Sequence, residues 1–188
     1  MATNDCPLVW VIIGVSGSGK TTIGRLLSER LECDFLEGDR RHSFSNINKM
    51  LSQIPLEDED RRDWLLQIEE DIRRAIDKNR ETVITCSALK VSYRKQLTSP
   101  SRVQLVWLDI PKSKLEERLI NRSNHYMKSE MLDSQIAAFE PVSPEEKIIT
   151  VNGLLLAQDI VNEILSQATR LFPNGHWLDE KWWERSRK

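Results

Sequence analysis

The chain has 188 residues, of which 39% are hydrophobic, and this favours a single domain with its own core. A formal net charge of -2 argues against the basic surface of a nucleic-acid-binding protein. No apolar run reaches the roughly 20 residues of a membrane-spanning helix, and the first residues lack the basic segment of a signal peptide. The three scattered cysteines, Cys6, Cys33 and Cys86, fit neither a disulfide framework nor a zinc site, so we expect a reducing, cytoplasmic location.

Strands and helices are predicted to alternate along the chain. Continuous apolar runs that end in turns are typical of buried parallel strands, whereas apolar residues repeated every three or four positions are typical of helices. These patterns predict strands at 8–14, 33–36, 82–88, 102–110 and 147–151, and helices at 20–31, 58–76, 111–122 and 154–171.

This alternation predicts an α/β domain in which helices cover both faces of a five-stranded parallel sheet. Such sheets bind ligands at the carboxyl ends of their strands. Residues 122–144 are polar and lack a strand pattern, so we interpret them as a mobile lid between the fourth and fifth strands. The whole chain, 1–188, is then one domain that ends in a tryptophan-rich tail at 172–188.

The segment GVSGSGKT, from Gly14 to Thr21, matches the phosphate-loop pattern G-x-x-x-x-G-K-[ST] in full. It lies between a predicted buried strand and a helix, which is the context that the motif requires. The glycines allow backbone N–H groups to point at phosphate oxygens, while Lys20 can reach the β- and γ-phosphates and Thr21 can bind Mg²⁺. The expected nucleotide-binding residues are Gly14, Ser16, Gly17, Ser18, Gly19, Lys20, Thr21 and Thr22.

A phosphate loop alone does not identify the reaction, because switch GTPases and small-molecule kinases both carry one. The sequence contains no N-K-x-D motif of the kind with which GTPases read their base. Asp109, at the end of the fourth predicted strand, is either a second acid of the nucleotide site or the cap of the helix after Pro111. The sequence therefore favours a kinase and leaves the role of Asp109 open.

A polar segment, EGDRRHSFSNINKM at 37–50, follows the second predicted strand. In a small kinase an acid at this place faces the γ-phosphate, where it can accept the proton of an attacking hydroxyl or hold a water of Mg²⁺. Glu37 and Asp39 are the candidate acids, and His42 and Asn46 are suited to hydrogen-bond hydroxyl groups. The competing interpretation is an ordinary solvated loop.

Two basic clusters follow later strands. Ser87 ends the third strand, and Lys90 and Arg94 are four residues apart on the next helix, where we expect them to share one face and bind a substrate carboxylate. Arg118 and Arg122 have the same spacing at the entry to the lid and are placed to close over a triphosphate. Ordinary basic helix surfaces are the alternative in both cases.

Several segments together resemble the gluconokinase family, small kinases of the shikimate-kinase type. They are GVSGSGKTT, FLEGDRRHSFSNINKM, IPLEDEDRRDWL, CSALKVSYRKQL and LDSQIAAFEP, in that order over about 8–140. The resemblance implies an adenylate-kinase-like P-loop fold of three layers. It also implies phosphorylation of D-gluconate to 6-phosphogluconate with ATP and Mg²⁺, and it is compatible with a homodimer.

The resemblance implies roles for individual residues. Asp39 would be the catalytic acid–base residue, with Lys20 and Arg122 completing the catalytic set, while Arg118 and Arg122 would hold ATP. The expected substrate ligands are Asp39, His42, Asn46, Ser87, Lys90, Arg94 and His125.

The chain departs from the family pattern at several loop positions. Thr21 and, through a water molecule, Glu37 are expected to hold Mg²⁺, but Glu37 stands where the family usually has Asp and reaches one methylene further. Ser43 replaces a usual proline and Gln53 a usual glycine, changes that act mainly on backbone freedom.

Two other functions remain open at this point. One is a related kinase for shikimate, another polyol acid or a nucleoside, and the other is a nucleotide-binding regulatory protein without turnover. In the tail, Trp177, Trp182 and Trp183 are expected to pack within the subunit, and a dimer contact is the rival interpretation.

Overall fold

The computed structural model describes residues 7–120, 129–175 and 177, and a five-stranded parallel sheet lies at its centre. The order of the strands across the sheet is β2-β3-β1-β4-β5, which confirms the predicted parallel sheet. The strands are β1 Val9–Ile13, β2 Asp34–Glu37, β3 Thr82–Cys86, β4 Val103–Asp109 and β5 Ile149–Asn152.

Helices cover both faces of this sheet and complete three layers. None of the helices in the described parts of the chain is both long and apolar enough to cross a membrane. Two short 3-10 turns also occur, Gly38–Arg41 between β2 and α2 and Pro144–Glu146 between α6 and β5. The helices are α1 Lys20–Leu31, α2 Phe44–Leu51, α3 Asp58–Asp77, α4 Val91–Leu97, α5 Lys112–Ile120, α6 Ser129–Ala137 and α7 Ala157–Leu171.

The central strand β1 is buried along its whole length, which explains its unbroken apolar sequence. Val11 packs in the core that contains residues of α3, α4 and α5, whereas Ile12 packs in the core that contains residues of α1 and α7. Ile13 pairs with Cys86 of β3, and Thr85 of β3 pairs with Glu37 of β2. The segments after β1, β2 and β3 therefore emerge at one edge of the sheet, where the predicted site residues follow.

Helix α2 lies in the segment that sequence patterns described only as a polar loop or a pocket wall. The hydroxyl group of Ser43 accepts a hydrogen bond from the Asn46 backbone N–H and caps the helix. The apolar side chains of Phe44 and Leu51 are 78% and 58% exposed, so this helix turns an apolar face outward. Its buried residues are Asn46 and Met50. Phe44, Ile47 and Leu51 recur at helical spacing, so the sequence contained a helical pattern here that our interpretation as a polar segment overlooked.

The second half of the predicted lid forms α6, which is docked on the core. Leu132 is fully buried, and Phe139 stacks on Trp107 with ring centroids 4.4 Å apart. Lys112 of α5 pairs with Asp133 at 2.6 Å. Residues 122–128, the first part of the predicted lid, lie outside the described residues.

The start of the tryptophan-rich tail packs on the subunit. Trp177 is 5% exposed, and its ring meets that of Trp10 edge-on at 5.3 Å. This confirms the expectation for Trp177, whereas Trp182 and Trp183 lie outside the described residues.

Gln53 has a left-handed backbone, and we predict that Gln53→Gly stabilises the protein. Gln53 follows the C-cap of α2 with φ 60°, and the bonds Gln53 N–H to Met50 O and Ile54 N–H to Lys49 O form a Schellman motif. Glycine lacks the Cβ that makes this conformation costly, so we expect a gain of about 0.5–1 kcal/mol. Urea unfolding measures it. Ser52→Gly, at φ −81°, is the matched control, and an equal gain there would contradict the explanation.

Candidate active site

A cleft opens at the carboxyl ends of β1, β2 and β3. About 630 Å³ of space between the protein atoms belongs to this cleft, a figure that includes open solvent at its mouth. Five residues proposed from the sequence line it together, and Arg61, Ser134 and Gln135 add polar groups that the sequence did not indicate. The five are Ser16, Lys20, Asp39, His42 and Ser87.

The phosphate loop has the backbone shape that its glycines predict. Gly14, Gly17 and Gly19 have φ values of 152°, 81° and 94°, which side chains with a Cβ rarely adopt. The hydroxyl of Ser18 is buried, and no described group hydrogen-bonds to it. These features, together with the N-terminus of α1, fit the phosphates of a nucleotide.

Lys20 and Thr21 begin α1 directly after this loop. The Lys20 Nζ donates to the Val15 carbonyl oxygen at 3.1 Å, which holds the ammonium group against the loop. Thr21, in the first helical turn, is the residue whose hydroxyl would hold Mg²⁺. Among the described residues, no group of three or more His, Cys, Asp or Glu side chains could hold a metal ion.

Arg118 lies on the other side of the phosphate loop from Asp39. Its Nη2 donates to the Gly153 carbonyl oxygen at 2.9 Å, and its Nη1 to the Ser18 carbonyl oxygen at 3.4 Å. A second groove here is lined by Gly17, Ser18, Gly19, Thr22, Ile23, Arg118, Gly153, Leu155, Ala157 and Ile160. This groove continues from the phosphate loop and is suited to the rest of a nucleotide. Gly153 and Leu155, which connect β5 to α7, also line it, and the sequence did not indicate them because this connection carries no charge pattern.

Asp39 is positioned by the tightly packed residue before it. The Gly38 N–H donates to the Thr85 hydroxyl at 3.2 Å, and Trp64 Nε1 donates to the Gly38 carbonyl oxygen at 2.8 Å. A Cβ on Gly38 would lie 2.0 Å from the Thr85 carbonyl oxygen, so only glycine fits between β3 and α3. Asp39 is thereby held at the mouth of the cleft that also contains Lys20.

Glu37 points along the sheet toward its neighbour in β3. The Thr85 hydroxyl donates to Glu37 Oε1, and the two residues are paired in the register of β2 and β3. The extra methylene of Glu37, compared with Asp, thus reaches a defined partner. Glu37 is not among the residues that line the cleft, so its contact with Mg²⁺ through water stays a prediction.

His42 is a neutral side chain held in the wall of the cleft. Its ring stacks on that of Trp64, with centroids 4.5 Å apart and planes 10° from parallel. Burial lowers the pKa of His42 to about 4; nearby Asp39 raises it and Arg61 lowers it. Asn46 Nδ2 lies 3.4 Å from His42 Nδ1 and donates to the Asp60 carbonyl oxygen at 2.6 Å, so Asn46 supports the histidine from behind.

The lowered pKa of His42 predicts a loss of stability in mild acid. The unfolded chain takes up a proton on this residue below about pH 6.5, whereas the folded protein does so only near pH 4. The free energy of unfolding is not reduced by His42 above pH 6.5, and it falls progressively as the pH is lowered from 6.5 toward 4. We expect His42→Phe, which can keep the stack on Trp64, to lose less unfolding free energy than the wild type between pH 7 and 4.5 in urea titrations. Equal losses in both proteins would contradict this origin.

Lys90 and Arg94 do not share one helical face, so that prediction is wrong. Lys90 precedes α4 with an extended backbone, and its Nζ contacts Asp58 at 2.6 Å. Arg94 is 1% exposed and binds Glu146 through Nε at 2.6 Å and through Nη2 at 3.0 Å. Its guanidinium also donates to the carbonyl oxygens of Leu89 and Glu140, so it joins α4 to the chain after α6. Neither Lys90 nor Arg94 is among the residues that line the cleft.

Two further residues proposed from the sequence, Arg122 and His125, lie outside the described residues. Asp109 ends β4 with an exposed side chain and borders a different groove, beside Trp107 and Phe139. The structure therefore does not support the interpretation of Asp109 as a second acid of the nucleotide site.

Arg61 is the site residue with the clearest signal that sequence analysis overlooked. It lies three and seven positions before Trp64 and Ile68, which are buried, so a cation occupies the apolar face of α3. Its side chain is only 17% exposed and lies 3.7 Å from Asp58. Gln135 has no such signal, since its partner is 119 positions away in the chain.

Comparisons with known proteins agree with this geometry. A family model described as an AAA domain matches residues 9–142. The gluconokinase of Gluconobacter oxydans (strain 621H) is 37% identical over 160 residues, which cover 85% of this chain and 90% of that protein. The crystal structure of a gluconokinase from Sinorhizobium meliloti 1021 matches with a TM-score of 0.80 and 37% identity, covering 89% of this chain and 95% of that chain.

A shikimate kinase from Aquifex aeolicus vf5 matches with a TM-score of 0.62 at 24% identity, covering 89% of this chain and 99% of that chain. This second structure supports the P-loop kinase fold alone. The sequence identity to gluconokinases extends over most of the chain. The chain belongs to the gluconokinase family of kinases.

Proposed function

We propose that the protein transfers the γ-phosphoryl group of ATP to the terminal hydroxyl of D-gluconate and forms 6-phospho-D-gluconate. The observation that carries this proposal is that Lys20 of the phosphate loop and Asp39 after β2 line one cleft, in a chain of the gluconokinase family. Gluconate offers hydroxyl groups and one carboxylate. The cleft offers the carboxylate of Asp39 and the neutral ring of His42 for hydroxyl groups, and the cation of Arg61 for the carboxylate.

The chemistry assigned to the chain is positioning, proton acceptance and charge stabilisation. Asp39 orients the attacking hydroxyl and accepts its proton, and His42 hydrogen-bonds a second hydroxyl in its neutral form. Lys20 and the N–H groups of the loop stabilise charge on the phosphoryl oxygens. Mg²⁺, held by Thr21 and through water by Glu37, would supply further neutralisation of the phosphates.

Arg61 is the residue that we assign to the substrate carboxylate. It is the arginine among the cleft-lining residues, and its mostly buried side chain weakens competition from water. An arginine can bind a carboxylate through two parallel hydrogen bonds. The long distance of 3.7 Å to Asp58 indicates that its existing ion pair is loose.

We predict that Arg61→Met raises the KM for gluconate by roughly 10- to 100-fold, the effect of losing a charge-assisted hydrogen bond. The KM for ATP should stay near the wild-type value, because the nucleotide groove lies across the phosphate loop. Arg62→Met is the matched control, since the Arg62 side chain is 70% exposed. Equal KM values for gluconate in both variants would remove Arg61 from the substrate site.

The reaction itself is tested by coupled measurement of ADP release with one acceptor at a time. D-gluconate should give sustained turnover, while shikimate and a nucleoside should not. Turnover with shikimate or a nucleoside alone would favour a related kinase. ATP binding without turnover on any acceptor would favour a regulatory protein.

We also propose a cytoplasmic location and a homodimer. In support of a reducing compartment, Cys33 and Cys86 are free thiols. The exposed apolar residues Phe44, Ile47 and Leu51 of α2 are a candidate contact for a second copy. Sedimentation velocity of the wild type and of Phe44→Ser would test the dimer and this contact.

A further inference from the structure

The side chain of Gln135 in α6 accepts a hydrogen bond from a backbone N–H group of the phosphate loop. The Ser16 backbone N–H donates to Gln135 Oε1 at 2.7 Å, across 119 positions of sequence. A backbone N–H can only donate, so the oxygen of the Gln135 carboxamide must be the atom that faces the loop. The bond therefore places a neutral acceptor on a donor of a loop built for phosphate oxygens.

The position of Ser16 identifies which phosphate that donor would meet. Ser16 lines the cleft together with Lys20 and Asp39, on the side where the acceptor binds. Gly17, Gly19 and Thr22 instead line the groove beside Arg118. The loop thus separates two sides, and Ser16 lies on the side where phosphate and acceptor must meet. In the proposed reaction, the phosphate on that side is the terminal one.

Helix α6 and the residues directly after it have contacts with the body that do not depend on Gln135. Leu132 is fully buried, Phe139 stacks on Trp107, and Asp133 pairs with Lys112 at 2.6 Å. The Glu140 N–H also donates to the Leu89 carbonyl oxygen at 2.9 Å. Replacing Gln135 should therefore leave the helix docked, and its contact with Ser16 acts as one separate tether.

We propose that Gln135 is the residue by which the acceptor-side cleft distinguishes a nucleoside triphosphate from a diphosphate. Its carboxamide oxygen holds the Ser16 N–H while the terminal phosphate is absent, and a terminal phosphate oxygen replaces it on that N–H when the triphosphate binds. Gln135 is a positioning residue in this account. The exchange releases one tether of α6 at the cleft when the phosphoryl group to be transferred is in place.

The exchange has a consequence for nucleotide affinity. An anionic phosphate oxygen accepts a stronger hydrogen bond than a neutral carboxamide, so replacement is favourable. The triphosphate must nevertheless break the existing bond, whereas ADP leaves it intact. Gln135 should therefore weaken triphosphate binding by roughly two- to tenfold, the equivalent of one neutral hydrogen bond, and leave ADP binding unchanged.

The test compares the Kd of ADP with the Kd of the non-hydrolysable analogue AMP-PNP by isothermal titration calorimetry. In Gln135→Ala the Kd of AMP-PNP should fall by roughly two- to tenfold while that of ADP stays constant. In Gln135→Glu, a carboxylate next to Ser16 repels the terminal phosphate, and the Kd of AMP-PNP should rise more than that of ADP. Asp133→Asn is the control, because it removes a tether of α6 outside the loop, and it should leave the ratio of the two Kd values unchanged.

The proposal is overturned if Gln135→Ala changes both affinities by the same factor, or if it weakens AMP-PNP relative to ADP. A second measurement needs no variant: deuterium uptake of wild-type peptides covering 132–140 should be higher with AMP-PNP than with ADP, and equal uptake would also overturn it. The inference rests on ATP as the phosphoryl donor of the proposed function. Both tests contain no acceptor, so a wrong acceptor would leave their results unchanged.

Discussion

Asp39→Asn is expected to lower kcat by about 10²- to 10⁴-fold, the range for loss of a general base, while nucleotide binding survives. The substitution keeps the size of the side chain and removes the carboxylate that accepts the hydroxyl proton. Gly38, held by Thr85 and Trp64, fixes the backbone at this point independently of the Asp39 side chain. The loss should therefore appear in transfer to gluconate, and the Kd of AMP-PNP should stay near its wild-type value.

Single-turnover measurement of ADP formation, with calorimetry of AMP-PNP binding, separates the two effects. Asp63→Asn on the exposed face of α3 is the control for the loss of one negative charge near the site. Turnover of Asp39→Asn within a few-fold of the wild type would remove Asp39 from the mechanism. A joint loss of transfer and nucleotide binding would instead assign Asp39 to the nucleotide site.

Arg94→Met is expected to destabilise the protein by about 3–5 kcal/mol, because it breaks a buried ion pair from one side. The Arg94 guanidinium contacts Glu146 and the carbonyl oxygens of Leu89, Glu140 and Pro141. Glu146, whose side chain is 12% exposed, would lose its cationic partner. Arg94 also holds the pKa of Glu146 below its usual value, so the loss should be largest where that carboxylate is charged.

Urea unfolding at pH 7 measures the effect, and Lys95→Met, on the exposed side of the same helix, is the matched control. The experiment also decides between two roles for Arg94. Unchanged stability with a raised KM for gluconate would restore the role as a substrate ligand that the sequence suggested. Reduced stability at an unchanged KM would support the structural role.

The main features of the fold could be predicted from the sequence because they depend on local patterns. The apolar run of β1 is buried on both faces, and the amphipathic period of α3 predicts a helix whose observed bounds are Asp58–Asp77. The phosphate loop is similarly local, since its glycines, lysine and threonine are adjacent in the chain. The carboxyl-end rule for parallel sheets then brought Lys20, Asp39, His42 and Ser87 to one cleft.

Partners of individual polar side chains were decided by tertiary structure. Arg94 and Gln135 have partners 52 and 119 positions away, at distances that no periodic pattern encodes. Arg94 therefore looked like an exposed substrate ligand, although it is a buried connection between α4 and the segment after α6. Arg61 entered the cleft because α3 directs that face toward the acid after β2.

The physical reason for this division is the range of the forces involved. Strand and helix formation depends on alternation of apolar and polar side chains over a few residues, so the sequence determined the sheet, most of the helices and the phosphate loop. A hydrogen bond or ion pair depends on where two distant backbones bring their side chains within about 3 Å. Only the packed chain decided which arginine lines the cleft and which side chain accepts the hydrogen bond from the Ser16 N–H.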